Sequence, residues 1–321
     1  MPFFDLEASE LPNYRSRVTA PDDFDSFWTA TLAEARSHSL DAEFAPFDAG
    51  LAAFDVFDVS YAGYGGHKVR GWYIAPKGIP TAGGAVVKFI GYNGGRGFPH
   101  EHLLWPSTGR PVLVMDTRGQ GSGWSRGDTA DPVGSDPAQA GFMTRGIANP
   151  LSYFYRRVFT DGVRAVEAIR SRDDIDPARI AVAGGSQGGG ISLAVAGLVP
   201  TVKACMPDVP FLSDFPRAIG LASRDPYGEI SRYLSVQRDK VETALQTLRY
   251  FDTVSFGPRA KAHALFSVAV MDTICPPSTV YGAYNAYAGA SKKIISYTYN
   301  DHEGGGAFQE RAQVEWLKGV L

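Results

Sequence analysis

The sequence predicts an α/β fold built on a mostly parallel, doubly wound sheet. Short continuous apolar runs such as AVVKFI (85–90), PVLVMD (111–116) and IAVAG (180–184) each lead into a glycine-rich loop. Runs of that length without alternation suit strands covered on both faces. Segments of helical periodicity lie between them, and alternating strands and helices argue for a parallel sheet. A third observation places a site on that sheet. The apolar run at 180–183 passes into Gly184-Gly185-Ser186-Gln187-Gly188, and a helix-competent ISLAVAGL follows.

Residues 22–37 set Phe24, Phe27, Trp28, Thr31, Leu32 and Ala35 at helical spacing, which predicts an amphipathic helix near the start. FDVFDVSY and HKVRGWYI, joined by AGYGG, predict a β-hairpin whose glycines supply the turn. YRRVFTDGVRAVEAIR (155–170) carries an apolar stripe and predicts a helix despite Gly162. Further strands are expected at 202–206, 263–270 and 292–299, and a final amphipathic helix in AFQERAQVEWLKGVL. The β alternation lapses over 211–258, which reads as a helical cap inserted late in the sheet. Residues 128–141 read as a surface loop. The expected organisation is one domain over 1–321, with a helix-and-hairpin extension (1–80) and the cap-like insertion (about 211–258).

With 321 residues the chain can bury a sizeable core. Its 31 basic and 34 acidic residues give a net charge of −3 and form no basic run, which argues against a nucleic-acid or anionic-membrane surface. No apolar stretch is long enough to span a bilayer. MPFFDLEASELPNYRSR lacks the basic and apolar regions of a secretory signal. The two cysteines, Cys205 and Cys275, form no C-x-x-C, so a reduced, cytoplasmic protein is expected; a mature secreted form would have the same composition.

Strand, glycine-hemmed serine and helix, in that order, are the context of a nucleophile elbow, in which side chains at Gly184 and Gly188 would clash. A serine hydroxyl is a weak nucleophile and needs a histidine held by a carboxylate. Asp272 closes the run HALFSVAVMD, and His302 follows KKIISYTYND, so acid and base come after the serine at the ends of successive strands. Asp272 could also cap the helix predicted after it, and the two roles can coexist. An oxyanion needs two preorganised donors. The main-chain N–H of Gln187 is one candidate, and the loop Gly91–Gly97 offers Tyr92 as the other. A dinucleotide fold also uses a glycine-rich turn between strand and helix. Here Ala183-x-Gly185-x-x-Gly188 is one residue short of that fingerprint, with Asp208 near the ribose-binding position. His100 and His102 form H-E-H, but no third ligand at a telling spacing accompanies them, so no metal is expected.

Three blocks, MDTRGQGSGW (115–124), AGGSQGGG (183–190) and NDHEGGG (300–306), resemble the acetyl xylan esterase / cephalosporin C deacetylase family, carbohydrate esterase family seven. GYNGGRGFPH, GFMTRGI, YFYRRVFTD and MDTICPPS extend the likeness along the chain. RGQ (118–120) is the most specific block, because α/β-hydrolases in general lack it. The resemblance implies an α/β-hydrolase fold and removal of acetyl groups from small acetylated sugars and cephalosporin C. It also implies Ser186 as nucleophile, Asp272 and His302 as its partners, and Tyr92 and Gln187 as oxyanion donors. Arg118 and Gln120 would support the site; read from the residues alone, the two are a buried, salt-bridged loop anchor with no direct part in the chemistry. No metal or organic cofactor is implied, and the family's homohexamer, a dimer of trimers, is expected. Cys275 is expected as a reduced thiol beside the acyl pocket, and Pro226 of SRDPYGE as a residue closing it. The rival readings are a peptidase or thioesterase on the same scaffold, and a non-catalytic binding protein.

Overall fold

A computed structural model describes residues 4–78, 84–289 and 291–321. Residues 1–3 and 79–80 of the expected extension therefore lie outside the described residues. Helix α1 (Phe24–Arg36) comes first and buries Phe24, Trp28, Thr31, Leu32 and Ala35, the stripe that its spacing requires. Strands β1 (Glu43–Pro46), β2 (Phe54–Ala62) and β3 (Lys68–Pro76) follow, then β4 (Ala85–Phe89), α2 (Leu104–Ser107), β5 (Val112–Met115), α3 (Phe154–Arg170), β6 (Ile180–Gly185) and α4 (Gln187–Leu198). After β7 (Ala204–Asp208) the chain runs through α5 (Phe215–Leu221), α6 (Tyr227–Val236), α7 (Val241–Leu248) and α8 (Thr253–Phe256). It ends with β8 (His263–Ala269), α9 (Pro277–Ala286), β9 (Lys292–Tyr297) and α10 (Gly306–Leu317).

Among the described residues the strands form one sheet in the order β1-β2-β3-β5-β4-β6-β7-β8-β9. β2 and β3 pair antiparallel as the expected hairpin, β3 pairs antiparallel with β5, and the six strands from β5 to β9 are parallel. β1 was not expected. Its four residues are mostly exposed, so it carries no apolar pattern and owes its existence to pairing with β2.

The sheet is covered on both faces, which is why its central strands lack alternation. Val87, Phe89 and Val182 pack with Phe159, Val163, Ile191 and Val195 from α3 and α4. Val86, Ile90 and Ala183 pack on the other face with Trp105 and Leu317. Gly162 suits α3 because a Cβ there would press on Val195 and Ile191, so α3 and α4 approach closely through it. Residues 128–141 hold no helix or strand, but they are anchored inward: Thr129 and Asp131 are buried.

The connection from β4 runs to β5 on one side, whereas β6 lies on the other. Loops leaving the ends of β4 and β6 therefore diverge and open a crevice, the place where such sheets bind ligands. Ser186 follows β6 and Tyr92 follows β4.

Candidate active site

Ser186 stands between the last residue of β6 and the first of α4, with φ 56° and ψ −118°. An L side chain strains in that region and persists only where its surroundings hold it. They do so here. The Ser186 N–H donates to the Asp208 main-chain oxygen at 2.9 Å, and the Ser186 oxygen accepts from Gly190 and Phe211 N–H at 3.0 and 2.9 Å. A Cβ at Gly188 would fall on the main-chain oxygen of Phe89, and one at Gly184 on Gly188, which gives both glycines of the motif a steric reason.

Asp272 follows β8 and is fully buried. Its Oδ1 accepts from Ile274 N–H at 2.8 Å and Cys275 N–H at 2.9 Å, an Asx-type turn that fixes the carboxylate. Oδ2 lies 2.8 Å from His302 Nδ1. A carboxylate only accepts, so Nδ1 carries the proton and Nε2 is left as the basic nitrogen. Ligand-type atoms of Asp272, Cys275 and His302 lie within 4.8 Å of one another, a set of the kind that could hold a metal ion. Ser186 acts on the Cys275 thiol electrostatically and shares a cavity lining with His302, which puts it in the neighbourhood of these three side chains. Burial pushes the Cys275 thiol well above its usual range. Ser186 and His302 line a cavity of about 670 Å³, together with Tyr92 and Pro226, a volume that suits a small-molecule site.

The loop after β4 is tied down by side-chain bonds. The Tyr92 hydroxyl donates to Glu229 Oε1 at 2.7 Å, and burial, then the Glu229 charge, raise its pKa. Arg96 N–H donates to Asp116, and the Arg96 guanidinium bonds Asp58 and lies 4.0 Å from the centre of the Trp72 ring. Gln120 Oε1 accepts from Asn93 N–H at 2.7 Å, and Gln120 Nε2 donates to Gln187 Oε1 at 2.8 Å. Gln187 Oε1 also accepts from the Tyr155 hydroxyl. Among the described residues no acceptor faces the main-chain N–H of Tyr92 or Gln187. Arg118 is buried between Asp161 and Asp131, with Nη2 2.7 Å from Asp161 Oδ1. Burial opposes its charge, but the two aspartates outweigh that and raise its pKa. It anchors its loop to α3 and does not line the cavity.

Both ring nitrogens of His102 are engaged. Nε2 lies 2.8 Å from the Arg96 oxygen and Nδ1 3.2 Å from Lys88 Nζ, while His100 stacks on Phe98. The H-E-H pair is thus separated in role. The Asp208 carboxylate accepts from Gln309 and Gln313 of α10, both at 2.8 Å, so it is not free to bind a ribose.

Around the cavity, sequence reasoning missed Glu229, Trp124 and Lys88. Glu229 also accepts from Gly141 and Met143 N–H and ties α6 to the Tyr92 loop. Trp124, largely exposed at the cavity rim, donates its indole N–H to the Tyr92 oxygen at 2.8 Å. Lys88 lines the cavity from β4, and its signal was a lone cation inside an apolar run.

A model of the acetyl xylan esterase (AXE1) family matches residues 1–320. The structure is similar to a solved acetyl xylan esterase from Paenibacillus sp. R4, with a TM-score of 0.91 and 37% identity over 98% of this chain and 100% of that one. It is similar also to acetyl xylan esterase 1 from Thermoanaerobacterium sp. JW/SL YS485, with a TM-score of 0.88 and 31% identity over 98% and 99% of the two chains. Acetyl esterase Axe7A of Xylanibacter ruminicola is 27% identical over 289 residues, 88% of this chain; the match spans 63% of that relative, just under two thirds of its length. The expected α/β-hydrolase fold is the one observed.

Proposed function

The chain belongs to the acetyl xylan esterase family, and from that premise we propose that it is a serine esterase removing acetyl groups from small acetylated sugars. The observation that carries the reading is the His302–Asp272 contact of 2.8 Å beside the cavity that Ser186 and His302 line together. Asp272 orients His302 and steadies its charged form; His302 Nε2 takes the Ser186 proton as the hydroxyl attacks the ester carbonyl. The main-chain N–H groups of Tyr92 and Gln187 receive the oxyanion. The alcohol departs with the proton from His302, and water activated by His302 then hydrolyses the acetyl-enzyme.

The helices α5 to α8, inserted between β7 and β8, act on this reading as a cap, and Pro226 brings its edge to the cavity. With Tyr92 pinned by Glu229, the acyl side has little room to widen, so acetyl is favoured over longer acyl groups. Each surplus methylene costs about 1–3 kcal/mol where a site cannot expand. Cephalosporin-type acetate esters are the second substrate class of the proposal. A homohexamer and a cytoplasmic location complete it. The two buried free thiols agree with a reducing compartment, and among the described residues no helix is long and apolar enough to cross a membrane.

The test is hydrolysis of p-nitrophenyl acetate, octanoate and acetylated xylobiose, with a sulfonyl fluoride and with EDTA. The reading expects fast acetyl cleavage, slow octanoyl cleavage, loss of activity with the sulfonyl fluoride and indifference to EDTA. Inhibition by EDTA reversed by zinc, or octanoate cleaved as fast as acetate, would refute it. Sedimentation of the whole protein as a monomer would remove the hexamer.

A further inference from the structure

The cavity is far larger than an acetyl group, so most of it faces the alcohol part of the ester. Its lining includes Lys88, Glu101, His102, Asp208 and Glu310, and the same five residues line an adjoining cavity of about 190 Å³ against the sheet face of β6. Lys88 extends from β4 in parallel register with Ala183, three residues before Ser186. Its ammonium lies 3.2 Å from His102 Nδ1. Because His102 Nε2 faces a carbonyl oxygen, Nδ1 is the acceptor and Lys88 the donor. That uses one of three ammonium protons. Among the described residues Lys88 enters no ion pair; Glu101 and Glu310 act on it electrostatically without closing to contact.

Lys88 is half-buried, so its two remaining donors are open to whatever fills the cavity. The carboxylates around it make this lobe a poor site for an anion, and Lys88 makes it a poor site for a cation. Donor and acceptors side by side suit a neutral group that offers both, which is what a sugar hydroxyl does.

We propose that Lys88, together with Glu310 on the lining of the same cavity, binds hydroxyls of the leaving-group sugar and so selects polyhydroxylated alcohols over simple ones. This rests on the esterase reading of Ser186. The experiment compares kcat/KM for acetylated xylobiose with that for p-nitrophenyl acetate in the wild type, Lys88→Met and Glu310→Gln. A second arm measures competitive inhibition of p-nitrophenyl acetate hydrolysis by free xylobiose, which needs sugar binding but no sugar ester. The sugar-to-aryl ratio should fall at least tenfold in Lys88→Met and several-fold in Glu310→Gln, and xylobiose inhibition should weaken in parallel. Glu310 is exposed on α10, so its variant decides the matter should Lys88→Met fail to fold. A wild type that deacetylates the sugar, with ratio and inhibition unchanged in the variants, overturns the role of Lys88 and leaves the esterase reading intact. A wild type inactive on p-nitrophenyl acetate overturns the esterase reading itself, and this inference with it.

Discussion

The side-chain amides of Gln120 and Gln187 bond each other in both directions, Gln120 Nε2 to Gln187 Oε1 at 2.8 Å and Gln187 Nε2 to Gln120 Oε1 at 3.1 Å. Gln120 also holds Asn93 N–H, so one residue of the RGQ block ties the loop after β4 to the residue after Ser186. Those are the two segments that carry the proposed oxyanion donors. Gln120→Ala should lower kcat with little change in KM, by an amount approaching the roughly 10²–10³-fold cost of losing one oxyanion donor. Steady-state kinetics that show only a raised KM would detach Gln120 from the donors.

Asp272→Asn has a forced orientation. Oδ1 accepts two main-chain N–H groups, so the oxygen of Asn must stay there and its NH₂ must face His302 Nδ1. The imidazole then has to shed its Nδ1 proton and hold one on Nε2, the wrong tautomer for a base. A loss of about 10⁴-fold in kcat is expected, with the fold preserved by circular dichroism. Ser186→Ala should cost at least as much, since such residues act as a unit. Near-normal turnover by Asp272→Asn would assign the acid elsewhere.

Cys275 sits beside Ser186, yet its thiol is fully buried and its pKa is pushed up by that burial. Such a thiol is a poor nucleophile. Iodoacetamide at pH 8 should leave activity nearly intact, and Cys275→Ser should keep substantial hydrolysis with an altered preference among acyl groups. Total inactivity of a folded Cys275→Ser protein would give the sulfur a chemical role.

Asp252, the residue that caps α8, accepts from the N–H groups of Asp214, Phe215 and Val254. Burial, then the nearby Asp214 charge, push its carboxyl up to about 7. Between the two values the folded chain therefore holds a proton that the unfolded chain has already lost. The stabilisation from this group is complete below the unfolded value of about 4 and is lost as pH rises to about 7, each pH unit in between removing about 1.4 kcal/mol. Urea unfolding at pH 5 and pH 8 should show Asp252→Asn gaining on the wild type as pH rises. An equal difference at both pH values would contradict the assignment.

The central strands were legible because burial on both faces leaves an unbroken apolar run, as in Val112–Met115. The candidate Ser, Asp and His were legible from their order at strand ends. Glu229 was not, because a glutamate three residues before Arg232 reads as a surface helix pair; only the folding of α6 over the Tyr92 loop buries it. Asp131 was missed for the same kind of reason: its loop reads as polar surface, and Arg157 from a distant helix draws it inside. Local pattern reports periodicity and turns, whereas these residues acquire their surroundings from segments remote in the chain.

The backbone at Ser186 has a consequence for how the protein can change. A residue at φ 56° and ψ −118° stores about 1–3 kcal/mol. Ser186→Ala keeps that load, and only glycine, which lacks a Cβ, sheds it. The substitution that would stabilise this turn most is therefore the one that deletes its hydroxyl. Selection for a sturdier chain and selection for a reactive one pull in opposite directions at a single codon, and the hydrogen bonds to Asp208 and from Gly190 and Phe211 are what hold the compromise in place.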